Sequence, residues 1–287
     1  MEKNIKVIIN ELNKIKEKSI NKKNGFSVIS IDETKEIAQR YHLSPIEVEI
    51  AALKEEIMPK RYQRNYNTIS YSEQIKLLHS RVAIIGCGGL GGSIVELLAR
   101  LGIGKLTLVD GDVFSENNLN RQLLCREENI SRGKAEAAAE RIKHINPNIR
   151  TRTYSRFIDS VNIHEIIQET DLAVDALDNI SDRFILEKAC QKERIPFIHG
   201  AVEGLNGQVS TIFPQDKGLE IIYGSSKKYN KQKKSSRISV LSPTPALIAS
   251  FQVQEVIKVL LKRGTILRKK LLFINLEDLD INILELE

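Results

Sequence analysis

The chain has 287 residues, 41% of them hydrophobic and 28% charged, with a formal net charge of +6; this suits one large domain, or one domain and an appendage. No apolar run is long enough to span a bilayer, and the N-terminal "MEKNIKVIINELNKIKEK" is too charged for a secretion signal, so a cytoplasmic protein without a membrane partner is expected. The three cysteines, Cys87, Cys125 and Cys190, form no C-x-x-C pair and argue against a disulfide framework.

Residues 1–57 read as a helical extension. Ile5, Ile8, Ile9, Leu12 and Ile15 recur at helical spacing. "DETKEIAQRYHL" and the segment opened by "SPIE" (44–47) form two further helices joined by a tight turn, the second with Ser44 as cap, Pro45 at its start and Glu47 reaching back. A docking or scaffold role fits this pair, and nucleic-acid binding is not expected of it. From Arg81 the pattern changes. "RVAIIG" and "KLTLVD" are buried strands flanking a helix marked by Ile94, Val95, Leu97, Leu98 and Leu101. A helix is expected from Ser131 to His144, then "DLAVDAL" as a strand and "SDRFILEKACQKER" as a helix. "IPFIHGAV" and "GQVSTIF" are strands, a late helix carries Ala249, Val253, Val256, Ile257 and Leu260 on one side, and "LLFINLEDLDINILELE" reads as two final strands. Such alternation predicts an α/β fold with a doubly wound, mostly parallel Rossmann-like sheet. Much of the surplus positive charge sits in "SSKKYNKQKKSSR" (225–237), which reads as a solvated loop.

"VAIIGCGGLGG" (82–92) carries the chemistry. Gly86, Gly88 and Gly91 satisfy G-x-G-x-x-G directly after a strand and at the opening of a helix, where backbone and helix terminus together bind phosphate. Asp110 closes the second strand, where a carboxylate accepts ribose hydroxyls. To this point NAD and ATP fit equally. "NNLNRQLL" then supplies Asn118, Arg121 and Gln122, and "SRGKAEAA" supplies Lys134. A reaction that expels pyrophosphate needs cations on the leaving group, one such group often contributing about 3 to 7 kcal/mol of barrier lowering. The two cations therefore favour ATP. Asp178, read as ending the strand in "VDALDNISDR", should face the same crevice as a carboxylate suited to Mg²⁺.

Taken together, "RYQRN", "GCGGLGG", "LTLVDGDVFSENNLNRQ", "GKAEAA…INPNI", "VDALDN", "GAVEGLNGQVSTIFP" and "PALIASFQVQEVIKVLL" resemble the ThiF/MoeB/HesA family of ubiquitin-activating-type enzymes over about residues 58–286. The resemblance implies a 58–287 adenylyltransferase domain. It would use ATP and Mg²⁺ to activate the C-terminal glycine of a small ubiquitin-like sulfur carrier, in thiamin, molybdopterin or a related biosynthesis, with a sulfur donor acting afterwards. It implies that Asp110 holds the ribose, Arg121 and Lys134 contact phosphates, and Asp178 holds Mg²⁺. Asn118 and Gln122 would position the nucleotide, with Gly86, Gly88, Gly89, Gly91 and Asp112 also binding it. Arg64 matches an arginine that enters the partner's site across a homodimer. Many members hold zinc through two C-x-x-C pairs, but no cysteine follows Cys190 here, so no zinc is expected and the reaction should stop at the adenylate. The three thiols are expected to be buried and inert. The lysines of 225–237 fall where the family has a crossover loop over the carrier tail. Two rival readings keep the ATP site. One is a tRNA threonylcarbamoyl-adenosine dehydratase; the other adenylates the C-terminus of a ribosomal peptide.

Overall fold

The computed structural model describes residues 2–20, 26–229 and 239–286, which fall into two compact units, Met1–His79 and Ser80–Glu287. In the first, α1 (Glu2–Ile20), β1 (Ser27–Ile29), α2 (Ile31–Arg40), α3 (Pro45–Lys54) and β2 (Ile57–Pro59) precede a 3-10 turn over Lys60–Asn65 and α4 (Tyr71–His79). Two local devices start the central helices. Ser30 Oγ accepts from Glu33 N at 3.2 Å while the Glu33 carboxylate takes the Ser30 N–H at 2.8 Å. Glu47 likewise reaches back to the Ser44 N–H at 2.8 Å. Ile8, Leu12, Ile37, Val48 and Ile57 belong to its core, so Ile8 and Leu12 of the apolar face expected of α1 are buried, with Ile15 partly buried beside them. The parallel pair β1–β2 was not expected, because strands of three residues are too short to show alternation. The unit ends later than the 57/58 division read from the sequence, since α4 packs on α3.

The second unit is built on an eight-stranded sheet. Its elements are β3 (Arg81–Ile85), α5 (Gly89–Leu101), β4 (Lys105–Val109), α6 (Lys134–Ile145), β5 (Arg150–Tyr154), α7 (Asn162–Ile167), β6 (Leu172–Asp175), α8 (Ile180–Glu193), β7 (Phe197–Glu203), β8 (Asn206–Ile212), α9 (Leu219–Tyr223), α10 (Pro243–Leu261), β9 (Lys270–Asn275) and β10 (Asp280–Glu285). The strand order is β10-β9-β8-β7-β6-β3-β4-β5. Pairings from β5 through β7 are parallel and those from β7 to β10 antiparallel. The sheet is therefore α/β and mostly parallel, as expected, with an antiparallel edge added. The order reverses at β3, whose neighbours are β4 and β6, and ligands bind at the carboxyl ends of strands at such a switch.

Three details differ from the sequence expectations. α6 starts at Lys134 rather than Ser131, because Ser131 adopts a positive φ of 71° that ends any helical run there. β5 and α7 were not foreseen; "RTRTY" is a polar edge strand without the apolar run that marks its neighbours. α10 is the one helix among the described residues long and apolar enough to cross a membrane by length and composition. It packs on α5, β7 and β8, which is why both its sides are apolar. The lysine-rich 225–237 segment lies mostly outside the described residues, with only 225–229 inside them.

Candidate active site

A cleft of about 840 Å³ opens at the carboxyl ends of β3, β4 and β6 and runs across to the β7–β8 hairpin. At its first end β3 runs into the glycine turn. Gly86 has φ +100°, and a Cβ there would strike the Ala176 carbonyl. A Cβ on Gly91 would strike the carbonyl of Gly86, so Gly91 lies behind the turn, where it lets α5 approach β3, and does not line the cleft. Gly88 and Gly89 do line it. Gly88 caps α5, with no side chain bonded to the first turn and no acidic residue in it. The positive end of the helix dipole is thus left for an anion.

Asp110 follows β4 directly. Its carboxylate accepts from Cys87 N at 2.7 Å and Asp112 N at 2.8 Å, which fixes it at the rim of the turn. Burial raises its proton affinity, and the two N–H groups and Lys134 oppose that shift. Asp112 also pairs with Lys134 Nζ at 3.4 Å, and the lysine side chain is only 9% exposed. Lys134 is the first residue of α6, held there by its own N–H to the Asp112 carbonyl at 3.0 Å. Arg121 follows a short 3-10 turn; its Nη1 donates to the Asn117 carbonyl at 2.7 Å and to Asn120 Oδ1 at 3.0 Å. Gln122 is buried, and its Oε1 has no hydrogen-bond partner, an orphaned acceptor on a residue that lines the cleft.

Two sequence assignments are corrected. Asn118 does not line the cleft. Its Oδ1 accepts from Ser115 N at 3.2 Å and closes the 3-10 turn, and the neighbouring Asn117 lines the cleft instead. Asp178 does not end the strand, for β6 stops at Asp175. Asp178 is an exposed residue of the following loop, just before Asn179 caps α8. It still lines the cleft, and its one hydrogen bond is a long contact from Asn179 at 3.4 Å.

The opposite wall holds residues that motif reading missed. Asp175 accepts from His199 Nδ1 at 2.7 Å, with both side chains fully buried. Arg183, Gln208 and Tyr223 connect this pair to the cleft, which all three line. A sequence signal existed, since a carboxylate ending the buried strand "LAVD" and a histidine inside "FIHGA" must find partners. Nothing in their spacing says that the partner of each is the other.

Arg64 lies in the 3-10 turn of the first unit and is not among the residues lining this cleft. The three cysteines are buried, and burial pushes each thiol up, Cys87 well above its ordinary value. Among the described residues no group of three or more His, Cys, Asp or Glu could hold a metal, so a divalent ion at Asp178 would need ligands from its substrate.

Residues 62–287 match the ThiF family. The chain is 32% identical to the SAMP-activating enzyme E1 of Haloferax volcanii over 76% of this chain and 82% of that protein. It is 34% identical to the molybdopterin-synthase adenylyltransferase of Haemophilus influenzae over 75% of this chain and 89% of that one. Among solved structures, Escherichia coli MccB with ATP has a TM-score of 0.67 at 23% identity, covering 88% of this chain and 82% of that chain, a likeness of fold.

Proposed function

The chain belongs to the ThiF family, and from that premise we propose an ATP-dependent adenylyltransferase. Its substrate would be the C-terminal glycine carboxylate of a small ubiquitin-like sulfur carrier. The observation that carries this reading is the meeting, in one cleft, of an uncapped helix start, a fixed carboxylate at Asp110 and the cations Arg121 and Lys134. Relatives named for adenylylation and for activation of SAMP support the same class.

The Asp110 carboxylate accepts the ribose hydroxyls with lone pairs left over from its two backbone bonds. Phosphates lie on the first turn of α5, where Gly88 leaves room and Gln122 Oε1 offers an unused acceptor to the nucleoside. A carrier carboxylate oxygen attacks the α-phosphorus; the bond to the bridging oxygen breaks, and pyrophosphate leaves with that oxygen. Arg121 and Lys134 stabilise the charge that grows on it. Lys134, nearly buried and anchored by Asp112, is already in place, whereas Arg121 must exchange its bonds to Asn117 and Asn120 for phosphate. Asp178, whose carboxylate is only lightly engaged, would hold Mg²⁺, with the remaining ligands to come from water and the substrate phosphates. Bound there, it would neutralise charge on the phosphate oxygens. Arg64 would reach the cleft of a second copy, making the enzyme a homodimer.

The test is ATP–pyrophosphate exchange by the purified protein with Mg²⁺, with and without a Gly-Gly-terminated carrier from the same genome. Carrier-dependent exchange that Asp178→Ala abolishes is expected. Exchange driven by a peptide C-terminus, or salt-sensitive tRNA binding, would replace the carrier reading with one of its rivals. In mixtures, Arg64→Ala and Asp178→Ala subunits should restore activity that neither has alone; no restoration would remove the dimer.

A further inference from the structure

Five polar side chains that the reaction above does not use meet under the hairpin end of the cleft. Asp175 ends β6, Arg183 lies on α8, His199 on β7, Gln208 on β8 and Tyr223 on α9. Their protons can be assigned by elimination. A carboxylate only accepts, so the 2.7 Å contact between Asp175 Oδ2 and His199 Nδ1 puts the ring proton on Nδ1. Burial holds the His199 pKa below its ordinary value against the opposing pull of Asp175. The ring is therefore neutral and Nε2 is an acceptor. Nε2 lies 3.1 Å from both the Tyr223 hydroxyl and Gln208 Nε2, two donors that share this one acceptor. The same hydroxyl oxygen accepts from Gln208 Nε2 at 2.5 Å and from Arg183 Nη1 at 3.2 Å. His199, Gln208 and Arg183 thus hold the phenol oxygen from three sides.

Arg183 is held less completely. Its Nη2 donates to the Leu177 carbonyl at 2.7 Å. Its Nε lies 3.3 Å from Asp175 Oδ2 but has no hydrogen-bond partner. The two are close without being aligned for a hydrogen bond, and the same carboxylate accepts from His199 Nδ1 and, through its other oxygen, from the Leu177 N–H at 2.9 Å. A guanidinium has five N–H groups, and among the described residues Arg183 uses two of them in hydrogen bonds. Asp175 therefore faces the guanidinium as a nearby charge and not through a bidentate pair of hydrogen bonds.

We propose that His199 and Asp175 are positioning residues that hold Tyr223, and through it the Arg183 guanidinium, at the hairpin end of the cleft to receive the terminal carboxylate of the acyl substrate. This rests on the adenylyltransferase reading. A carboxylate approaching a triphosphate meets like charge, and a fixed cation on its path offsets that repulsion. The glycine end supplies cations only for the nucleotide, so Arg183 serves the other reactant.

The experiment compares His199→Leu, His199→Gln and Tyr223→Phe with the wild type by carrier-dependent exchange and by direct ATP binding. His199→Leu removes both bonds and Gln restores one donor and one acceptor, while Tyr223→Phe keeps the packing and deletes the hydroxyl. Removing this support for a charged group should raise the carrier KM about ten-fold in His199→Leu and Tyr223→Phe, leaving the ATP Kd within about two-fold. His199→Gln should recover part of the loss, and the His199→Leu and Tyr223→Phe effects should not add, since both act through one chain of bonds. If Tyr223→Phe folds and its carrier KM and kcat stay within about two-fold of wild type, the inference is wrong and the pair only fills the core. Equal loss of ATP affinity would also overturn it. Absence of exchange by the wild type with any acyl substrate would sink the underlying reading instead.

Discussion

At the glycine end of the cleft, the turn, the Asp110 carboxylate and both cations come from one continuous stretch between Gly86 and Lys134. At the hairpin end, five polar groups are drawn from five separate elements between Asp175 and Tyr223. The first end is anchored largely by backbone, through the N–H groups of Cys87 and Asp112 and the open start of α5. The second is a chain of side chains that runs from the fully buried Asp175 and His199 to Arg183, Gln208 and Tyr223 at the cleft wall. A site made by backbone tolerates change in the side chains around it, whereas a buried side-chain network fails as a unit.

That contrast can be broken at either end. The largest effect should come from Lys134→Ala, which removes a cation already in place and should lower the exchange rate about 10²- to 10³-fold with the fold intact. If the rate fell less than the carrier KM rose, the leaving-group role would belong elsewhere. The second prediction concerns the support of the hairpin end. Glu187 accepts from Leu219 N at 2.6 Å at the start of α9, the helix that carries Tyr223. Burial pushes its carboxyl up to about 7 from 4.5. The folded chain therefore retains a proton that the unfolded chain has released, a stabilisation complete below the lower value and lost as pH rises through the higher one. It is worth on the order of 3 kcal/mol at most. Glu187→Gln, which keeps the acceptor for Leu219, should flatten the fall in Tm between pH 5 and pH 8; an unchanged slope would remove Glu187 as its cause.

Gly91→Ala should cost about 1–3 kcal/mol, because the added methyl must push the Gly86 carbonyl and the whole turn. Thermal unfolding measures the stability, and weakened ATP binding should accompany the loss if the turn holds phosphate. The smallest effect is at Asp110. Asp110→Asn should weaken ATP about ten-fold while leaving the carrier KM unchanged. A matching rise in carrier KM would mean the two ends of the cleft are coupled rather than separate.

The sequence by itself determined what depends on neighbours along the chain. "VAIIGCGGLGG" specified strand, turn and helix start, because a glycine at φ +100° and another against a carbonyl are local demands. The capping pair Ser44 and Glu47, the apolar face with Ile8 and Leu12, and the two final strands were legible for the same reason. Asp110 and Lys134 both line the cleft, the first just past the end of β4 and the second at the start of α6, next to elements with a clear period. Only the tertiary structure decided the rest. Asn117 rather than Asn118 lines the cleft although both amides bond to Ser115 within the turn, a choice their sequence spacing leaves open. Asp178 moved from strand to loop because β6 ends where the buried Asp175 finds His199, a residue on another strand. Hydrophobic period and turn chemistry are written residue by residue, but the partner of a buried charge is fixed only when the sheet assembles.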